Sequence, residues 1–254
     1  MYLRRNFNSS GLVRLLGRWA PADADASRQD IAERLGLWVG VSDAITLDAA
    51  HRSIRSLATT KRPVARATRP FAVDDEFRRV RASLVQDIMA GEASGAGDRR
   101  ARNGVSQPAV AAASGLAYGP YRTWYLDRQR HMESRIAVLR ARVRQALAGA
   151  APELAQLATL DAAMDRMLAD RAQKLLSTVP QLLERRFEQL RKAHQTASSF
   201  APQPLGMAPG QPADNWQGVF AGELQQALLA ELDHRLQPVA GLVEAFNNVY
   251  TKSP

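Results

Sequence analysis

The sequence of 254 residues contains no cysteine. Disulfide bonds and thiolate metal sites are therefore excluded for this chain, and its fold needs no oxidising compartment. Long apolar runs are missing as well, because no stretch reaches the roughly 18 consecutive apolar residues of a membrane-spanning helix. The short run GLVRLL near the start is interrupted by Arg14 and is too charged for a signal-peptide core. We therefore expect a cytoplasmic protein without a membrane span.

Recognisable catalytic motifs are also lacking. The patterns G-x-S-x-G, G-x-G-x-x-G, H-E-x-x-H and the P-loop do not occur, and the four histidines lie far apart in the sequence. One carboxylate–histidine pair, Asp127 and His131, shares a helical face, but a metal site needs more ligands than one such pair supplies. The sequence therefore predicts a protein that is not an enzyme and that holds no cofactor and no metal.

Helix-forming apolar residues are abundant. They raise the apolar fraction to 46%, with leucine and alanine dominant and β-branched residues scarce. This composition predicts an all-α fold, with short N-terminal helices followed by an elongated bundle of long, proline-kinked helices. Changes in composition divide the chain into an N-terminal helical cap (1–57), a basic linker (58–73), a helix (74–90), a flexible linker rich in Gly, Ala and Arg (91–115) and a long-helix bundle (116–254).

The N-terminal cap is predicted to contain three short helices. Capping serines precede them, namely Ser9 or Ser10, Ser27 and Ser42. In the third of these helices, at about 43–57, the apolar spacing predicts that Ile45, Ala49 and Ile54 face inward.

We predict that the bundle consists of three long helices. They lie at about 118–147, from Pro152 onwards, and at about 215–250. In the first of them, apolar residues recur at helical spacing at Tyr121, Tyr125, Met132, Ile136, Leu139, Val143 and Leu147. Pro180 should kink or break the second helix, because proline has no N–H to donate and clashes with the preceding turn. Pro238 should kink the third helix for the same reason.

The second long helix carries an apolar stripe of roughly forty residues, or about 60 Å of helix. Three such stripes leave a narrow core, so we expect a homo-oligomer that resembles a coiled coil and buries part of this stripe against another copy. Leu182 and Phe187 lie on the stripe, and they are candidates for the interaction surface.

The segment Tyr121–Arg135 supplies further candidates. Trp124 belongs either at the end of the bundle or at a partner surface. Arg128, Arg135 and Arg142 recur every seven residues beside the apolar stripe and form a basic ridge. Such a ridge could follow a phosphate backbone, or it could pair with acidic residues of a neighbouring helix, namely Asp161, Asp165 or Glu188. Residues 1–150 hold 25 basic and 14 acidic side chains, an excess of 11 positive charges that favours anionic partners.

Several stretches resemble an uncharacterised proteobacterial family of unknown function. They are SSGLVRLLGRW, SRQDIAERLGLWVGVSDAITLDAA, YRTWYLDRQRHME, LATLDAAMDRML, LLSTVPQLLERRFEQLR and LLAELDHRLQPVAGLVEAF. The resemblance implies a cytoplasmic helical protein encoded beside envelope genes, among them OmpA-like peptidoglycan-binding proteins and proteins similar to motor subunits. It implies no catalytic residues.

Two functions follow as hypotheses. The first is a non-enzymatic helical adaptor or scaffold in a larger, membrane-anchored assembly with a protein partner of the envelope or motor-like kind. The alternative is a nucleic-acid-binding module that uses the basic N-terminal part of the chain.

Overall fold

The structure, a computed structural model, describes residues 11–19, 40–59, 70–93, 117–200 and 216–251. Within these ranges it contains helices and no strand, which confirms the predicted all-α class. The helices are α1 (Gly11–Gly17), α2 (Val41–Thr59), α3 (Pro70–Ala93), α4 (Gly119–Ala150), α5 (Pro152–Leu176), α6 (Val179–Phe200) and α7 (Trp216–Thr251).

Several helix ends differ from the sequence-based boundaries. Helix α3 begins at Pro70 rather than at Asp74, because a proline suits the first helical position, where its missing N–H costs no hydrogen bond. It also continues to Ala93, into the predicted flexible linker. The predicted helix after Ser27 and most of both predicted linkers lie outside the described residues.

The predicted break at Pro180 is confirmed. Helix α5 ends at Leu176, and α6 starts at Val179 after a two-residue turn. The N–H groups of Gln181 and Leu182 bond to the carbonyl of Thr178, so the new helix is capped directly at the turn. Pro238, by contrast, lies within α7, which is one helix from Trp216 to Thr251. A break therefore occurs at one proline and not at the other.

The chain divides into two compact units, each assembled from three separate stretches. The first unit comprises Met1–Ala20, Leu84–Met132 and Thr178–His234, and the second comprises Pro21–Ser83, Glu133–Ser177 and Arg235–Pro254. Helices α3, α4 and α7 each contribute residues to both units.

Aromatic rings fill part of the core of the first unit. Phe187 of α6 and Phe220 of α7 are fully buried, with ring centroids 5.1 Å apart in an edge-to-face arrangement. Tyr118 and Tyr121, at the start of α4, contact both phenylalanine rings at 5.1 to 6.2 Å. The Tyr118 hydroxyl donates to the Pro180 carbonyl at 2.6 Å, and burial raises the pKa of this phenol. Aromatic packing and one hydrogen bond thus fix the start of α6 against α4.

The second unit contains a helical hairpin, because only Ala151 separates α4 from α5. Helix α2 packs against α5. Its N-terminus is held by Asp43, whose carboxylate accepts bonds from the Gly40 backbone N–H at 2.9 Å and from the Arg171 guanidinium at 2.6 Å. These two bonds hold the pKa of Asp43 below its ordinary value.

The inward face of α2 differs from the predicted one. Ile45 is 63% exposed and Ala49 is exposed, whereas Ala50 is buried and Ile54 is half-buried. The prediction of Ile45 as a core residue was therefore wrong. Contact with α5, rather than its own apolar spacing, decides which face of α2 is covered.

Candidate interaction surface

The predicted surface residues occupy very different environments. Phe187 is fully buried and Trp124 is 5% exposed, so in this structure both belong to the core of the first unit. Leu182 is half-buried. The length of the predicted apolar stripe therefore does not by itself leave Leu182 and Phe187 accessible, because α4 and α7 supply rings that cover Phe187 within the same chain.

The three arginines of the predicted basic ridge also lie in different environments. In the first unit, the Arg128 guanidinium lies over the Trp124 ring, 5.7 Å from its centroid. In the second unit, Arg142 donates to Glu76 of α3 at 2.5 Å, while Arg135 is exposed. Two of the three cationic groups are thus engaged by groups of their own unit.

The acidic residues expected to pair with this ridge bind other arginines. Asp161 and Asp165 of α5 accept five hydrogen bonds of 2.5 to 2.9 Å from Arg140 and Arg144 of α4. The sequence had indicated an acid–arginine contact between these helices but had assigned the wrong arginines. Arg140, Arg144 and Asp161 are largely enclosed, at 15%, 21% and 11% exposed, whereas Asp165 is 38% exposed.

The charge network makes the stability of the hairpin sensitive to acid. Burial alone would raise the pKa of Asp161, but the hydrogen bonds and charges of Arg140 and Arg144 outweigh it and lower that pKa below its ordinary value. A carboxyl group with a lowered folded-state pKa stabilises the fold above its unfolded-state pKa, and this contribution disappears as the pH falls through the folded-state value.

We therefore expect Asp161→Asn to reduce the free energy of unfolding at pH 7 by about 2 kcal/mol, since two arginines lose charged acceptors. The same variant should lose less additional stability than the wild type as the pH falls below about 4. Urea unfolding between pH 7 and pH 3 measures both effects. Asp170→Asn, at an exposed position of the same helix, is the matched control. Parallel pH profiles of wild type and Asp161→Asn would contradict the assignment.

A second polar network lies in the core of the first unit and was not anticipated. Glu231 of α7 is fully buried, and its carboxylate accepts the Tyr125 hydroxyl at 2.7 Å and the Gln129 amide at 2.9 Å. Tyr125 is fully buried and Gln129 is 7% exposed. Glu231 is also the first residue of a Glu-x-x-His spacing that ends at His234, which the sequence-based prediction overlooked. His234 is exposed, and the described residues contain no group of three or more potential metal ligands.

Four exposed large apolar residues of the second unit lie on α5. Leu160, Met164, Leu168 and Leu175 are 40%, 37%, 36% and 57% exposed, and their spacing places them on one side of the helix, here called the α5 face. Buried residues flank this face on both sides, Ala163 and Met167 on one and Leu154 and Ala158 on the other. The α5 face is therefore a narrow, mainly apolar strip between two packed flanks. Between Leu168 and Leu175 it also includes Arg171, whose guanidinium is bonded to Asp43 of α2. All four exposed residues, Leu160, Met164, Leu168 and Leu175, belong to the apolar stripe predicted for the second long helix.

One end of the α5 face borders an open groove between α2 and α5. The groove has a volume of about 350 Å³ and is lined by Leu47, Asp48, His51, Ile54 and Leu160; it is called the α2–α5 groove below. Three of the five lining residues are apolar, while Asp48 and His51 are exposed side chains of α2. Because Leu160 belongs to both, the groove and the α5 face form one continuous surface within the second unit.

These observations define an all-α protein whose described part exposes an apolar helix face on α5. The family described as "Protein of unknown function (DUF3348)" matches residues 2–248, and the chain belongs to this family. No curated protein and no solved structure matches the chain. In the part of the chain that the structure describes, no helix is both long enough and apolar enough to cross a membrane.

Proposed function

We propose that the protein is a non-enzymatic helical adaptor that binds an amphipathic helix of a partner protein along the α5 face. The observation that carries this proposal is the shared exposure of Leu160, Met164, Leu168 and Leu175 on one side of α5, between two buried flanks. Burial of a large apolar side chain stabilises a complex by about 1.5–3 kcal/mol, so four such residues on one strip favour a bound partner.

The dimensions of the α5 face favour a single helix over a second globular copy. From Leu160 to Leu175 the helix rises about 22 Å, and one helix face is about 10 Å wide, which gives a strip of roughly 220 Å². A stable interface between two globular proteins buries about 800 Å² on each partner. An amphipathic helix lying in a groove needs only a strip of this width and meets it with apolar residues spaced three and four apart. A second copy of this chain, as in the predicted homo-oligomer, is the alternative occupant of the α5 face.

Two features support binding rather than catalysis. The buried carboxylate of Glu231 is bonded to Tyr125 and Gln129, and the carboxylates of Asp161 and Asp165 are bonded to arginines. These acidic groups have hydrogen-bonding partners that explain their presence as parts of the fold. The resemblance described above extends the proposal to an adaptor on the cytoplasmic side of an envelope-anchored, motor-like assembly.

The adaptor proposal predicts that Leu168→Glu combined with Leu175→Glu abolishes partner binding while leaving the protein folded, since both side chains are exposed. Ala169→Glu combined with Gln173→Glu is the matched control, with two neutral exposed residues changed to glutamate on the opposite side of α5. Quantitative affinity purification from the native cell, followed by cross-linking through the exposed Lys174, compares the variants. In the wild type and the control, we expect Lys174 to cross-link to an amphipathic helix of one protein. We expect the Leu168/Leu175 variant to lose that protein.

Two outcomes would contradict this proposal. Equal recovery of all proteins by the two variants would show that the α5 face binds nothing. Light scattering that gives a dimer for wild type and control but a monomer for the Leu168/Leu175 variant would identify a second copy as the occupant.

Nucleic-acid binding is the second candidate, favoured by the excess of 11 positive charges in residues 1–150. The engagement of Arg128 by Trp124 and of Arg142 by Glu76 weakens it, because phosphate contacts would have to replace contacts already formed. If this function is correct, the affinity for DNA or RNA should fall with salt concentration. The fall should be roughly one logarithmic unit per phosphate contact for each tenfold rise in salt.

A further inference from the structure

The α2–α5 groove adds a specificity element to the α5 face. The groove volume of about 350 Å³ exceeds the roughly 150 Å³ of a cavity that accommodates benzene. Its apolar lining, Leu47, Ile54 and Leu160, comes from both helices, so a side chain in the groove would contact two walls at once. Elsewhere on the α5 face, a partner side chain meets the exposed residues of α5.

We infer that the partner helix carries one large apolar anchor residue, aromatic by preference, that occupies the α2–α5 groove beside Leu160. This inference rests on the proposed function, because it names the residue class by which a helix on the α5 face is selected. Aromatic side chains combine large contact area with few rotatable bonds and dominate the binding energy of many helix-in-groove complexes. The groove lies at one end of the strip, so the anchor belongs at one end of the partner's apolar face.

The polar residues of the groove restrict the surroundings of the anchor. Asp48 is bonded to Arg52 at 2.7 Å, with both side chains more than half exposed, and His51 is also exposed. These groups stay hydrated at the α2 side of the groove when an anchor enters from the α5 side. The partner residue next to the anchor on the α2 side is therefore polar, whereas the following apolar residues lie over Met164 and Leu168.

The test uses the full-length protein and two labelled model peptides of about 15 residues, the length that covers about 22 Å of helix. Both peptides carry leucines on one face and alternating lysine and glutamate on the other. They differ only at the terminal apolar position, which is tryptophan in one and alanine in the other. Fluorescence anisotropy measures their affinities for the wild type, and we expect the tryptophan peptide to bind at least about tenfold more tightly.

Filling the groove should remove this preference. In His51→Trp, an exposed residue of the groove is enlarged, and the two peptides should bind with equal affinity. Arg55→Trp, one turn further along α2 at an exposed position outside the groove lining, is the matched control and should keep the preference. Asp48→Trp fills the groove from another lining position and should reproduce the loss if His51→Trp perturbs the fold, which circular dichroism reports.

The outcomes separate this inference from the proposed function. Equal affinities of the two peptides for the wild type would overturn the anchor while leaving the α5 face as a binding surface. A preference for tryptophan that persists in both groove-filling variants would also overturn it. Failure of both peptides to bind the wild type would overturn the proposed function itself.

Discussion

Replacing Phe187 by alanine is expected to destabilise the first unit by about 3–5 kcal/mol, which is a large part of the stability of a typical domain. The Phe187 side chain is fully buried, and its ring contacts four other aromatic rings at centroid distances of 5.1 to 5.9 Å: Tyr118, Tyr121, Trp216 and Phe220. Removal of the ring leaves a cavity that these neighbours, held on α4 and α7, cannot close. Urea unfolding followed by tryptophan fluorescence measures the loss.

Leu182→Ala is the matched control for this prediction, because Leu182 lies on the same helix and is only half-buried. We expect it to cost less than about half as much. A loss below about 1 kcal/mol for Phe187→Ala would show that Phe187 is not enclosed within its own chain. The first unit would then be completed by a partner at this position, as the apolar pattern of the sequence had suggested.

Replacing Glu231 by leucine is expected to cost about 2–4 kcal/mol, although leucine is the more apolar residue. The substitution removes the acceptor of the Tyr125 hydroxyl and of the Gln129 amide, both of which are buried, and each orphaned donor costs about 1–3 kcal/mol. Thermal and urea unfolding of the variant measure the loss.

The control for Glu231 removes the whole polar network. In the triple variant Tyr125→Phe, Gln129→Leu and Glu231→Leu, no buried donor of this network is left without its acceptor. We expect the triple variant to recover more than half of the stability that Glu231→Leu loses. If the triple variant is as unstable as the sum of its three single changes, the hydrogen bonds to Glu231 are not the reason for the loss.

The two acidic clusters show how buried charge is used in this protein. The carboxylates of Asp161 and Asp165 join α4 to α5 through arginines, whereas Glu231 joins α4 to α7 through neutral donors. Both clusters specify which residues of two helices meet, since a shift by one turn would leave their buried donors and acceptors unpaired.

Much of the helical framework followed from the sequence alone. The apolar spacing of α4 identified seven residues, of which Tyr121 is half-buried and six are buried: Tyr125, Met132, Ile136, Leu139, Val143 and Leu147. The break before Pro180 also followed, because a missing N–H and a steric clash act within a single turn. These features depend on residues close to one another in sequence, so the printed sequence contains all of the information they require.

Only the tertiary structure decided which parts of those apolar faces are covered. Leu168 and Phe187 continue the same apolar pattern, yet Leu168 is 36% exposed and Phe187 is fully buried. The difference arises because rings of α4 and α7 reach Phe187. The apolar spacing of one helix does not indicate which neighbouring helix will cover a given turn. The same reason explains why the arginine partners of Asp161 and the burial of Glu231 were not predicted. Apolar periodicity fixes the direction in which a side chain points along its own helix, but burial and pairing depend on residues that are distant in sequence and meet only in the folded chain.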